Sequence, residues 1–397
     1  MKILVLNSGS SSVKYQLFDV ANDYTVLAKG LIERINLKNS KITHITNGHE
    51  TEFVEDIPNH TTAIKKLLEN ILTDAKIGAI TSLSEIEGIG HRVVHGGEKF
   101  CASVVIDDTV IQTIKDCCDL APLHNPPNLL GIEACRNIVP DTPQVAVFDT
   151  AFHQTMPKKA YVYGLPYDQY LKYGVRRYGF HGTSHKYVSE QAIAFLSKNN
   201  LPHEKIITCH LGNGCSLAAV RNGKSIDTSM GLTPMEGVLM GTRSGDLDPC
   251  IVLYMMEKEN LTLDEVTATL NKKSGLLGLC GKSDMRDVLA AIEKKDELAK
   301  TACDVFVYRI VKYIGAYAAA MNGLDALIFT AGIGERSIPI RTLILNNLTF
   351  LGLTVDQEKN ESHATRITTD DSRVHALVIP TNEELVIAHD TYHLIKK

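Results

Sequence analysis

A chain of 397 residues is long enough for two domains of ordinary size, each with its own core. Hydrophobic residues make up 44% and charged residues 22%, which excludes a disordered or fibrous chain; the net charge of −5 lacks the basic footprint of a nucleic-acid binder. The nine cysteines form no CxxC pair and no regular spacing, a pattern of reduced thiols rather than of a disulfide framework. Met1-Lys2 is followed by a short apolar run and then by Asn7–Ser12, and no apolar stretch reaches the ~20 residues of a membrane span, so the expected location is cytoplasmic with no membrane partner.

The first elements read strand, turn, strand: Ile3–Leu6, the turn Asn7–Ser12, and Val13–Val20. Strand-like pieces follow at Val26–Ile35, Lys41–Thr46 and Thr51–Val54, and apolar spacing predicts a helix over His60–Leu72. Asn125-Pro126-Pro127 reads as a capped helix start ahead of Leu129–Ile138, and Pro143–Phe148 as a strand ending in Asp149. Near Lys205 the opening is restated: Lys205–Val220 aligns with the first residues so that Lys2 matches Lys205, Asn7 matches His210 and Gly9 matches Gly212, as a duplicated domain would give. Thr262–Glu265 is a capping box, Asp284 caps a helix to about Glu293, and Asp296–Asn322 is a long helix stopped by Gly323. Asp325–Thr330 is a buried strand running into a glycine turn, and Thr381–Glu384 reads as a capping box opening a last helix to about Ile395. Strands alternating with helices predict α/β architecture, with a boundary near residue 150.

Three glycine-rich turns follow apolar strands: Asn7–Ser12, His210-Leu211-Gly212-Asn213-Gly214, and Gly332-Ile333-Gly334-Glu335. Glycine lets backbone N–H groups close on an anion, and Lys14 adds charge beside the first turn. Any one of them alone reads more readily as a tight turn without ligand; three, two of them in matching places of a repeat, point to a nucleotide. The GxxxxGK[ST] pattern of P-loop enzymes is absent.

Longer motifs carry a resemblance. Asn7–Lys14, Gly90-His-Arg-Val-Val-His-Gly-Gly97, Ala121–Pro127, Phe148–His153, Arg177-Tyr-Gly-Phe-His-Gly-Thr-Ser-His185, His210–Gly214, Met230–Gly237, Gly241–Asp246, Asp284–Arg286 and Pro380–Glu384 are similar, in order and over the whole chain, to the motifs of the acetate kinase (acetokinase) family of short-chain carboxylate kinases. The resemblance implies two duplicated ribonuclease H-like, actin-like ATPase domains flanking a nucleotide cleft, the fold of acetate and sugar kinases, heat-shock 70 and actin. Residues 1–150 would form the first domain, able to receive a C-terminal helix 383–397, and 151–382 the nucleotide-binding second. It implies reversible in-line transfer from ATP to acetate, giving acetyl phosphate and ADP, with Mg²⁺ (Mn²⁺ able to replace it) and a homodimer. Where the family has Asn after Gly-Ile-Gly-Glu, this chain has Arg336.

Site residues follow from the same resemblance. Arg92 and Arg243 would hold carboxylate and phosphoryl group, a task suited to bidentate guanidinium, though each alone could be a salt bridge. His181 would donate to the transferring group, with His124 and His210 on the phosphate side, and Asp149 would be catalytic or orient Arg92 rather than cap a turn. Asn7 and Glu383 would hold the metal, although an acid in a first helical turn also serves the dipole. Lys14, His210–Gly214, Asp284, Met285, Arg286 and Gly332–Arg336 would bind ATP, and Val94, Leu123, Phe180 and Pro234 would line a dry pocket for a methyl group. Propionate kinase is the near alternative, with an actin- or heat-shock-like ATPase and a sugar kinase more distant; the arginine pair among apolar residues suits a carboxylate better than a sugar.

Overall fold

The computed structural model describes residues 1–396 and divides into two compact units: Met1–Gln154 with the chain from Asn382 onward, and Thr155–Thr381. In the first unit, strands β1 (Lys2–Ser8), β2 (Ser12–Asp19), β3 (Thr25–Glu33), β4 (Ser40–Thr46), β5 (His49–Glu55), β6 (Ile86–Val93), β7 (Val104–Val105) and β8 (Gln144–Phe148) form one mixed sheet in the order β5-β4-β3-β2-β1-β6-β8-β7. The first five strands make an antiparallel meander, while β1, β6 and β8 run parallel. Side-chain alternation on β1 serves two cores: Leu4 and Leu6 pack beneath the helices His60–Lys66 and Asn125–Ile138, and Ile3 and Val5 face Ile387 and Ala388 of the helix Glu383–Ile395.

β6 sits at the centre of this unit. Its glycines permit close helix packing: a Cβ on Gly90 would lie 2.5 Å from Ile387 Cγ2, and one on Gly88 equally close to Ile395 Cδ1. His91 beside them is buried, its Nε2 donating to Gln144 Oε1 at 2.7 Å, and burial pushes its pKa down to about 4. A histidine held neutral in the fold costs nothing above the unfolded value near 6.5, but below it the unfolded chain takes a proton that the folded one refuses. His91→Asn should therefore weaken the acid sensitivity of folding by about 2 kcal/mol between pH 7.5 and 5. Denaturant midpoints of both proteins against pH check this, and parallel profiles would contradict it.

In the second unit, β9 (Lys205–Leu211), β10 (Cys215–Arg221), β11 (Lys224–Thr228), β12 (Ala326–Thr330) and β13 (His375–Val378) are ordered β11-β10-β9-β12-β13. This repeats β3-β2-β1-β6-β8 strand for strand, with the same two antiparallel and two parallel pairings. Offset by the same spacing that the sequence repeat shows, β1 and β9 both end in a tight turn to an antiparallel partner.

Three local expectations differ from the structure. Asn125 is not the cap of its helix; His124 takes that place, and Asn125 uses its amide to accept from His95 N (3.1 Å) and donate to His95 O (3.0 Å). The last helix is capped by Asn382, whose Oδ1 accepts from Leu385 N at 3.1 Å, because Thr381 is drawn to Ser184 (Oγ1 to Oγ, 2.8 Å) and Glu335 (3.1 Å). The segment Ala331–Arg336, expected as an open glycine turn, is a short helix entered through Ala331 at φ 62°. Its Glu335 carboxylate turns back to accept from Ala331 N at 2.8 Å. The long helix Glu297–Met321 ends on Asn322 in the left-handed region (φ 54°), one residue before Gly323.

Candidate active site

The parallel strands of the first unit deliver three predicted residues to one end. Asn7 is near the end of β1, Arg92 near that of β6, and Asp149 follows β8, all at carboxyl ends, where α/β sheets place ligands. Arg92 donates through Nε and Nη2 to the two oxygens of Asp149 (3.0 and 2.5 Å), and through Nη1 to Asn7 Oδ1 (3.4 Å). Glu383, first residue of the last helix, brings Oε2 to 3.8 Å from Arg92 Nε. Burial lifts the Asp149 carboxyl above the usual Asp range; Arg92 opposes this, and Glu383 adds to it. Glu383 is raised by burial in the same way. Burial works against the Arg92 cation, yet the carboxylates outweigh it and hold its pKa above the ordinary value. The cluster is thus one guanidinium shared by two acids.

Asn128 is a positioning residue that the sequence reading missed. Its Oδ1 accepts from Val94 N (3.0 Å) and its Nδ2 donates to Ser8 O (2.7 Å), tying the ends of β1 and β6 together. The repeated Asn around Pro126-Pro127 was the available signal. Lys14, expected with the nucleotide turns, stands in the first unit opposite Asn7 on β2 and pairs with Glu384. Val94 is buried, but Leu123 is 59% exposed and closes no dry pocket within its unit.

In the second unit, His181 caps the helix Gly182–Lys198 from a left-handed conformation (φ 57°). Its ring stacks on His210, centroids 4.1 Å apart, and its Nδ1 lies 2.8 Å from Ser216 Oγ. Arg243 donates to Pro234 O at 2.5 Å, and burial pulls its pKa down. Phe180 is buried and Pro234 half-buried. Arg243 and His181 converge over Gly214, where a Cβ would lie 2.7 Å from Arg243 Nη2 and 3.5 Å from His181 Nε2. The guanidinium is the free end of a flexible chain and can yield, so Gly214→Ala is expected to fold normally. Displacing that group by about 1 Å should still lower kcat ~100-fold. Turnover and melting temperature measured together check it; unchanged turnover would mean that the guanidinium does no work at that spot.

A cavity of about 640 Å³ in the same unit gathers Gly212, Asn213, Asp284, Met285, Arg286, Gly332, Ile333 and Arg336, all singled out in the sequence. Leu211 and Gly334 are buried away from it. Asp284 caps its helix by accepting from Arg286 N (2.8 Å), and also holds Arg286 Nη2 at 2.6 Å. Leu289 and Pro339, which also line the cavity, were missed; Leu289 lies one turn beyond Met285 and was readable from that spacing. Arg341, fully buried, donates to Gly334 O (3.0 Å) and Glu335 O (2.7 Å) and so anchors the helix Ala331–Arg336. Its signal was a charge inside the apolar run Ile338–Leu345.

Duplicated strand order, a guanidinium–carboxylate cluster at strand ends of the first unit, and a cavity beside glycine-rich segments of the second define the chain as a phosphotransferase of mixed α/β fold. The acetokinase family profile matches residues 2–389. Acetate kinase of Acetivibrio thermocellus is 54% identical over 400 residues, covering all of both chains. The crystal structure of Porphyromonas gingivalis acetate kinase superposes with TM-score 0.93 at 47% identity, covering 99% of both chains. A propionate kinase from Francisella tularensis gives 0.92 at 46%, with the same coverage. The chain belongs to the acetokinase family, and its activity is that of an acetate kinase. No helix among the described residues is long and apolar enough to cross a membrane.

Proposed function

We propose that Arg92, Asp149, His181 and Arg243 carry reversible phosphoryl transfer between ATP and acetate. The observation that supports it most is Arg92, fixed by two hydrogen bonds to a buried carboxylate at the strand ends of a family member. In the forward direction an acetate oxygen forms a bond to the γ-phosphorus, the bond from that phosphorus to the β–γ bridging oxygen breaks, and ADP leaves with the electron pair. Acetate is already ionised at neutral pH, so the chain supplies no strong base. It supplies cations that offset repulsion between two anions, with arginine able to grip carboxylate and phosphoryl oxygens in pairs. Asp149 orients Arg92; His181 donates a hydrogen bond to the phosphoryl group.

Val94 and Leu123 of the first unit and Phe180 and Pro234 of the second are the apolar residues assigned to the acid's methyl group. ATP occupies the 640 Å³ cavity, its base beside Met285, Leu289 and Ile333 and its phosphates toward His210–Gly214. Asn7 and Glu383 offer the hard oxygen donors that suit Mg²⁺, which keeps several waters and so needs few protein ligands; the ion screens phosphate charge when bound. Lys14 sits beside these donors through Glu384. The enzyme acts as a homodimer in the cytoplasm, and sedimentation tests the first point. Purified protein with ATP, Mg²⁺ and acetate should form acetyl phosphate; product no greater than in a control without acetate would overturn the reading. Likeness to a propionate kinase makes propionate the second acid to try. One methylene discriminates by only ~1–3 kcal/mol, so propionate should turn over with lower kcat/KM.

A further inference from the structure

A chain of hydrogen bonds runs inward from His181. Its Nδ1 lies 2.8 Å from Ser216 Oγ, which lies 2.8 Å from His185 Nε2. His185 Nδ1 lies 2.7 Å from Thr208 Oγ1. Ser216, His185 and Thr208 are fully buried, on β10, the helix Gly182–Lys198 and β9. Each of the four side chains carries one hydrogen for the chain when both histidines are neutral, and there are three links to fill. One hydrogen is therefore surplus; Ser216 Oγ is fully buried and meets just the two histidine nitrogens among the described residues, so a hydroxyl turned away from both would be stranded, and the surplus points out at an end.

At the inner end the outlet is Thr208 Oγ1 to Ala218 O, 3.5 Å long and at the limit of a hydrogen bond. Thr208 is better satisfied by donating to His185 Nδ1. Then His185 Nε2–H donates to Ser216, Ser216 donates to His181 Nδ1, and the surplus hydrogen sits on His181 Nε2. A doubly protonated His185 gives the same result, since it too makes Ser216 donate outward. The Nε2 edge is the one that converges with Arg243 over Gly214.

We propose that Thr208, His185 and Ser216 are positioning residues that fix His181 as the Nε2–H tautomer, so that it donates to the phosphoryl group while remaining neutral. This rests on the role given to His181 above. The titratable and charged groups facing His181 include His210, stacked on it, His185 through Ser216, and the Arg243 cation over Gly214. A neutral donor keeps working above the pH at which histidine loses its charge; one without the chain must be protonated to guarantee a hydrogen on Nε2.

Nitrogen NMR of histidine-labelled wild type at pH 8 should show His181 as the Nε2–H tautomer, whatever the activity; a protonated Nδ1 would overturn the proposal. Ser216→Ala and Thr208→Val should lower kcat about 10-fold or more at pH 8, with partial recovery toward pH 6 and little change in either KM, while Thr208→Ser stays near wild type. A loss uniform with pH, or none, would also overturn it. His181→Ala separates the two ideas: undiminished turnover would refute the catalytic role of His181, while the NMR result would still report on the hydrogen-bond chain.

Discussion

Arg92→Ala is expected to lower kcat about 1000-fold while the protein still folds. The fold should survive because Asp149, stripped of its partner, is already lifted above the usual carboxylate range by burial and can take up a proton rather than remain a buried charge. The activity should not, because Arg92 is the residue that brings a fork of N–H donors to the end of β6. A single well-placed donor to a developing anion is worth ~100–1000-fold in rate, and a bidentate cation adds neutralisation to donation. Arg92→Lys should recover little, since an ammonium cannot keep both bonds to Asp149 and still present two donors outward. Initial rates of acetyl phosphate formation, with circular dichroism as the folding control, decide the matter; turnover above a tenth of wild type would remove Arg92 from the chemistry.

Asp149→Asn is expected to damage both stability and turnover, for separable reasons. The carboxylate is 1% exposed, and its charge is held there at a cost that the amide would not incur. Against that gain, Arg92 loses a bidentate anionic partner: the amide offers it one acceptor oxygen and no charge, beside Glu383 at 3.8 Å and Asn7 at 3.4 Å. Orphaning one member of a buried pair costs more than the desolvation it relieves, so a net loss of about 2 kcal/mol is expected, with kcat down ~100-fold as Arg92 swings from its seat. The double variant Arg92→Ala, Asp149→Ala should be no slower than Arg92→Ala alone, because the acid acts through the arginine. Additive losses would show that Asp149 has a task of its own.

Much of the site was legible because its motifs are contiguous and lie at strand ends or helix starts, and much of the fold because the two hairpins repeat at a fixed offset. What escaped did so for physical reasons. β6 was not read as a strand because Gly88 and Gly90 break its apolar pattern, and those glycines exist to admit a helix from nearly three hundred residues away. Asn125 looks like a cap from its neighbours, but its amide is spent on the backbone of His95, which no local pattern encodes. Thr381 loses its capping role to side chains in another part of the chain. Ala331–Arg336 coils because Glu335 and Arg341 hold its two ends, so the glycines there bend a helix rather than open a loop.

The helix Glu383–Ile395 supplies Ile387 and Ala388 to the core beneath β1 and β8, yet it is made only after the whole second unit. On the ribosome, the first sheet must therefore emerge with one apolar face bare and wait while more than two hundred residues of the second unit are synthesised. At typical elongation speeds that is roughly 10–50 s. Throughout that interval Ile3, Val5, Val145 and Val147 are open to chaperones or to other nascent chains, and biogenesis rather than equilibrium stability becomes the step most exposed to damage in the helix Glu383–Ile395.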